Sequence, residues 1–429
     1  MKLNYPIQLT YDDFGHTLHH NQIQSVDGNY LVFDTRNDDT KIGETSSICL
    51  LHTKTYESEI IYTTNSQTEF GPGVGAASFS QIENKVIFIH GIRNANQANP
   101  YSPTRRTGVA IDLEFPNQPI FMDARNINFP FTNGALRGGT HSHSWKKEKN
   151  WISFTYNDYV LEQESKQNST IKDQRVVGMM FPKKVEVELD ESLENNSGEM
   201  FSIIVSKVVV NPINGSDEIE KAFDECWINS TNNIAFQGHV RDEKGNLKTE
   251  IFVAEIPDEI TINENDDLKG TLTTLPDVPS CISQKRITFT QNGISNFRHW
   301  LRSSPDGKII YFLMEDEFDK TQLFGVNLVS NEIIQYSFLE NSITSPFNLS
   351  PNGKCAIYFV DDKIYLNDLT EKKSKQLYQV QKINNELTGI PNFSIDGKKI
   401  YLNQFVPNNF NEKFIQIFEL DLYKKFEIC

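Results

Sequence analysis

Apolar, β-type runs alternate with short polar turns along this chain, and one such unit recurs. It reads Ser304-Pro305-Asp306-Gly307-Lys308-Ile309-Ile310-Tyr311-Phe312. It returns as Ser350-Pro351-Asn352-Gly353 ahead of Ala356-Ile357-Tyr358-Phe359, as Ile395-Asp396-Gly397-Lys398-Lys399-Ile400-Tyr401-Leu402, and near the start as Ser25–Phe33. An Asp-Gly or Asn-Gly turn between two such runs predicts a β-hairpin. Worn copies lead into Lys85–Ile89, Trp151–Phe154 and Ile234–Phe236, which makes seven.

A second pattern keeps step with the first. A short apolar strand follows each hairpin: Ile48–Leu51, Val109–Leu113, Val176–Met180, Ile251–Ala254, Leu323–Leu328, Ile364–Leu369 and Ile417–Leu422, again seven. Two series of equal number, alternating in order, predict an all-β, seven-bladed β-propeller, in which small sheets bury their faces against one another. A β-sandwich gives no reason for a repeated phrase. An open solenoid has shorter and more regular periods. Two small β domains would suit the closer spacing after residue 300. The propeller reading makes residues 1–429 a single domain, although length alone suggests about three. Ile7–Tyr11 is expected as the outer strand of the last blade beside Ile415–Leu422, so that N- and C-terminal strands close the ring. The polar stretches 162–175 and 190–200 read as surface excursions.

Composition narrows the function. The net charge of −16 disfavours nucleic acid and anionic membranes, which need a basic footprint. No apolar run reaches the length of a membrane span, and Met1–Pro6 has no apolar core of signal-peptide length. Cys49, Cys226, Cys281, Cys355 and Cys429 form no Cys-x-x-Cys pair and read as buried thiols of a reducing compartment, which predicts a cytoplasmic protein.

Candidate chemistry gathers on the inner strands. Eight residues before the turn glycines Gly28 and Gly307 stand His20 and His299; aligning Phe154 with Phe312 puts His141 at the same place, with His143 two residues on. Equivalent positions on inner strands point at one axis, and converging imidazoles make a transition-metal site or an acid–base cluster. That gives His20, His141, His143 and His299 as candidate metal ligands, and His141, His143 and Arg302 as candidate catalytic groups. For each histidine alone, a hydrogen-bonded packing role is the alternative. Arg106, Arg137, Tyr156, Asp158 and Arg298 are candidate ligand-binding residues, arginine being suited to carboxylates, with structural ion pairs as the alternative. The paired Gly138-Gly139 would let backbone approach a ligand closely. Gly71–Ala77 resembles a phosphate loop only in its glycines, and no Gly-x-Ser-x-Gly elbow occurs.

The hairpin phrase resembles the TolB-type propeller repeat. His19-His20-Asn21, Gly71–Ser80, Arg105–Gly108, Gly134–His141, Trp151–Tyr156 and Arg298–Gly307 resemble the bacterial YidR-like family of propellers. That resemblance implies a fold and no established activity. A more distant similarity is to oligogalacturonate lyases, seven-bladed propellers that hold manganese through histidines and a glutamine and cleave acidic pectin fragments by β-elimination. Where those lyases carry a His-x-His pair in the last blade, this chain has Thr388-Gly389-Ile390-Pro391. A manganese-like divalent metal, if bound, would therefore use His20, His141, His143 and His299. Two functions stay open: a site that binds or cleaves a small acidic sugar, and a non-catalytic scaffold that offers its rim to a protein partner.

Overall fold

The computed structural model describes residues 5–189, 191–264, 266–380 and 386–422. They form a seven-bladed propeller, each blade an antiparallel sheet whose first strand lies innermost. In blade 1 an irregular inner segment (Gln24 bridges Leu31) precedes Tyr30–Asp34, Ser47–His52 and Ser58–Thr63. Blade 2 is Val74–Phe79, Lys85–Gly91, Arg106–Asp112 and Ile120–Phe121. Blade 3 is Gly138–Trp145, Ile152–Asp158, Val176–Val185 and Gly198–Ile204. Blade 4 is Ile219–Trp227, Ile234–Arg241, Leu247–Glu255 and Ser283–Arg286. Blades 5 and 6 start at Arg302–Ser303 and Asn348–Leu349. Blade 7 is Glu386–Phe393, Lys399–Pro407 and Lys413–Asp421, completed by Ile7–Gln8, which pairs antiparallel with Glu419 and Phe418. The expected closure of the ring by the two ends of the chain is present.

Strand alternation explains why the blades need one another. In the second strand of blade 5, Ile310 and Phe312 pack toward blade 4, with Ile228, Ala235 and Ile251. Their neighbours Tyr311 and Leu313 pack toward blade 6, with Ala356 and Tyr358. A period of two sends successive side chains to opposite faces, so each central strand serves two interfaces. The hydrophobic core is accordingly split among the contacts between blades. Blades 7 and 1 share Leu31, Phe33, Tyr401 and Ile417.

The recurrent phrase has a mechanical reason. In all four clear copies a serine hydroxyl (Ser25, Ser304, Ser350, Ser394) donates to the Asp or Asn two residues on, at 2.6, 2.6, 2.8 and 2.6 Å. The same hydroxyl accepts the backbone N–H five residues on, at 2.9–3.0 Å. The glycine amide closes a turn onto the serine carbonyl at 2.8–3.0 Å, with φ of +69 to +74°. This is a type I turn followed by a left-handed residue, wider than a two-residue hairpin. The turns also lean on each other. A Cβ on Gly353 would lie 2.3 Å from Pro305 Cδ in the turn of blade 5, and the side chain of Gln24 joins blade 1 to blade 7 by accepting the Ile395 N–H at 2.8 Å.

Several expectations are corrected. Residues 190–200 are not all a surface excursion: Gly198–Ile204 is the outer strand of blade 3, and Asn195 and Asn196 are buried where the loop straps onto Arg125 of the preceding segment. Residues 162–175 begin inside a helix, Tyr159–Ser165, whose N-cap Asp158 accepts the Leu161 N–H at 3.0 Å. The cysteines are not uniformly buried thiols. Cys49 is buried and free, Cys226 and Cys281 are free and half-buried, and Cys355 is disulfide-bonded. Cys429 lies outside the described residues. Among the described residues no helix is long and apolar enough to cross a membrane.

Gly353→Ala should destabilise the protein by roughly 1–3 kcal/mol, since the new methyl meets Pro305 and the left-handed backbone disfavours it. Urea unfolding of the pair measures this; an unchanged midpoint contradicts the interlocked-turn account.

Candidate functional site

The inner ends of the blades converge on a channel that one segment closes. Residues 18–22 form no strand, yet they bond to five blades. Leu18 N–H donates to Asn403 and the Asn392 amide donates to the His19 carbonyl, both of blade 7, at 2.9 and 3.2 Å. The His20 carbonyl accepts from Arg302 of blade 5 and Asn348 of blade 6, each at 3.0 Å. Asn21 donates to Ser144 of blade 3 at 3.1 Å, and the Gln22 carbonyl accepts from Phe79 of blade 2 at 2.7 Å. Only a segment lying across the axis reaches so many blades. Gln22 bonds the backbone of Trp145, next to the hairpin turn, so this plug sits at the turn end of the channel. Blade 7 bulges at Gly389 and uses Asn392 to grip the plug.

The histidines make different contacts. The His299 Nδ1–H donates to the Phe297 carbonyl at 2.7 Å, and Nε2 accepts the Leu313 N–H at 3.1 Å, so both nitrogens are spent on backbone. The His20 ring stacks on Trp300 with centroids 4.1 Å apart, and its Nδ1 accepts from Arg302 at 3.2 Å. His143 Nε2 faces Thr140 Oγ1 at 3.0 Å; that hydroxyl donates to the buried Asp123 at 3.2 Å, so Nε2 carries the proton and Nδ1 keeps its lone pair. His141, two residues earlier on the same strand, is 7 % exposed, with a buried Nδ1 that has no partner. Between them Ser142 adopts φ +57° at a bulge, which is how His141 and His143 come to differ in surroundings. Burial, joined by nearby arginines, holds His141 well below the usual imidazole value, and burial pushes His143 down to about 3.

The arginines divide in the same way. Arg302 is saturated by Asn348, the Leu301 carbonyl and His20, which makes it a support for His20. Arg137, Tyr156 and Asp158 are at most 1 % exposed and hold one another: Asp158 Oδ2 accepts from Arg137 at 2.7 and 3.0 Å and from Tyr156 at 2.9 Å. Arg137 also donates to the carbonyls of Thr271 and Thr274, tying down that loop. Gly139 is approached by protein, since a Cβ there would lie 2.1 Å from the Pro103 carbonyl.

Arg106 and Arg298 differ. Both bear on His141, together with Arg175, and all three lower its basicity. Arg106 donates to the Tyr101 hydroxyl at 3.2 Å while its Nε is buried without a partner. Arg298 is half-exposed, stacks 4.5 Å over Trp300, and lies 3.9 Å from Asp224. Asp224 sits at the bulge of the inner strand of blade 4 with φ +50°, and burial pushes its carboxyl up to about 6. Arg175, Lys221 and Asp224 went unrecognised in the sequence. Arg175 falls in a stretch read as a surface excursion, and Asp224 sits on an inner strand whose glycine turn is worn away.

A manganese-type centre does not fit these residues. Among the described residues no group of three or more His, Cys, Asp or Glu side chains is placed to hold a metal ion. His299 has no free nitrogen, His20 offers only the nitrogen not bonded to Arg302, and arginines crowd His141. Among the described residues, the expected ligands His20, His141, His143 and His299 form no such group.

Comparison with known proteins fixes the family. The Escherichia coli (strain K12) protein named "Uncharacterized protein YidR" is 34 % identical over 367 residues, spanning 83 % of this chain and 85 % of that one. The chain belongs to the YidR family. Residues 73–194 match a family profile described as "Protein of unknown function (DUF3748)"; it takes in all of blade 2 and the inner strands of blade 3. Among solved structures, "Oligogalacturonate lyase in complex with manganese" superposes with a TM-score of 0.56 at 10 % identity, covering 97 % of this chain and 92 % of that one. A puromycin hydrolase S511A mutant reaches 0.53 at 8 % identity over 97 % of this chain and 55 % of that one. Both likenesses concern the fold.

The buried histidines predict a pH response. His16, His19, His20, His90, His141, His143, His239 and His299 all lie below their ordinary value of 6.5. The unfolded chain therefore binds more protons there, and stability is lost as pH falls below about 6.5. Four buried carboxyls, Asp123, Asp173, Asp224 and Glu225, are raised and oppose this from a smaller number of sites. The thermal midpoint should fall steadily from about pH 7 to about pH 5; a flat or rising midpoint contradicts the neutral buried histidines.

Proposed function

We propose that the arginine-lined mouth of the channel binds a small acidic carbohydrate by its carboxylate, and that His141 acts there as the base for β-elimination. One observation carries this reading. In a chain of net charge −16, Arg106, Arg175 and Arg298 all act on His141 to lower its basicity, and the buried His141 Nδ1 has no partner. Among the described residues, Arg106 and Arg175 have no carboxylate in ion-pair contact, and the partner of Arg298 is 3.9 Å away. Uncompensated guanidinium groups in a recess favour an anion, and their planar forks suit a carboxylate.

The chemistry follows from the charges. Burial is the main cause of the low basicity of His141; a uronate carboxylate would neutralise the arginines that add to it and so raise that basicity. His141 would take the proton on the carbon next to the carboxylate. The arginines would stabilise the negative charge that develops on the carboxylate oxygens. The electron pair then forms a double bond in the ring as the bond to the neighbouring sugar oxygen breaks, and that oxygen takes a proton from water. The coordination chemistry of the manganese-bound lyase has no counterpart in this sequence of steps.

Isothermal titration with galacturonate oligomers, paired with ultraviolet detection of an unsaturated product, tests both parts. Wild type should bind; Arg298→Ala should bind roughly tenfold more weakly for one lost charge-assisted contact. His141→Ala should keep binding and form no product. Absence of uronate binding by the wild type, or full affinity in Arg298→Ala, would overturn the reading.

A further inference from the structure

The cleft beside the channel mouth holds cations in excess of the carboxylates free to neutralise them. It has a volume of about 390 Å³, and its walls include Lys172, Asp173, Arg175, Glu220, Lys221 and His239. Of the two acidic residues, Glu220 is paired with Arg241, and Asp173 alone is left to balance the three cations. Glu220 accepts from Arg241 at 2.8 and 3.0 Å. Asp173 accepts the Asp158 N–H at 2.8 Å and the Asn157 amide at 3.0 Å.

The cations are matched only in part, by attraction of Arg175 and Lys221 to the buried Asp224. Among the described residues Lys172, Arg175 and Lys221 make no ion pair. Arg175 donates only to the Asn157 side-chain oxygen, at 3.1 Å, and the Lys221 ammonium lies 4.7 Å over the ring of Phe223. Arg175 joins this cleft to the inner strand of blade 3, because its partner Asn157 pairs with Gly139, two residues before His141. Positive groups that repel each other across a concave polar surface are stabilised by an anion spanning them.

We propose that the cleft is a second anion subsite, so that the site takes an acidic oligosaccharide of at least two uronate residues. One carboxylate lies at the mouth between Arg106 and Arg298, another lies against Lys172 and Lys221, and Arg175 stands between them. This rests on the reading of the mouth as a uronate site and adds a chain-length requirement to it.

Titrating the full-length protein with galacturonate, digalacturonate and trigalacturonate tests the second subsite. The dimer should bind roughly tenfold tighter than the monomer, the gain expected of one further charge-assisted contact. The double variant Lys172→Ala/Lys221→Ala should lose that gain and keep the monomer affinity, with an unchanged thermal midpoint showing that it folds. Monomer binding with no gain for the dimer overturns the second subsite alone, as does a double variant that weakens every length equally. Failure of every length to bind wild type overturns the uronate reading of the mouth and this subsite with it.

Discussion

No blade of this protein owns a core. Every central strand turns alternate side chains to two neighbours, as Phe312 and Leu313 do toward blades 4 and 6. An open array would leave two apolar faces in water, at roughly 25 cal/mol for each Å² of apolar surface, so the ring has to close. Closure falls to the short strand Ile7–Gln8, which completes blade 7 from the other end of the chain. The chain must then travel from the outer edge of blade 7 to the inner edge of blade 1. The segment that makes this journey, residues 18–22, ends up bonded across the axis. Ring closure and the sealing of one end of the channel are thus consequences of a single stretch of sequence.

That geometry sets the electrostatics. With the turn end plugged, the polar groups on the inner strands face a blind recess. Histidines there are stripped of water, which lowers their basicity and favours the neutral ring. Inner strands of the ring are bulged at left-handed residues (Ala76, Ser142, Asp224 and Gly389), which lets neighbouring side chains of one strand serve different ends. In blade 3 the bulge assigns His143 to a hydroxyl–carboxylate support and leaves His141 facing the arginines.

Much of the architecture was legible because it is local and repeated. The Ser-x-Asp-Gly turn satisfies its own hydrogen bonds within six residues, so its signature survives in the letters, and seven copies imply a ring. The third strands were visible for the same reason, as apolar runs. The site was less legible because it is made of relations between distant segments. That His299 would spend both nitrogens on backbone depends on where Leu313 N–H falls, which no spacing reveals. Arg137, Tyr156 and Asp158 had the residue types of a binding site, yet satisfy one another. Arg175 and Lys221 gained their meaning only when blades 3 and 4 met.

The account stands or falls on where an acidic sugar goes. A crystal structure with digalacturonate bound would show this directly. One carboxylate should lie between Arg106 and Arg298 and the other against Lys172 and Lys221, with the sugar ring beside His141. Density for the sugar on the turn-side face beneath residues 18–22, or bound to the protein's outer surface with the mouth left untouched, would contradict it.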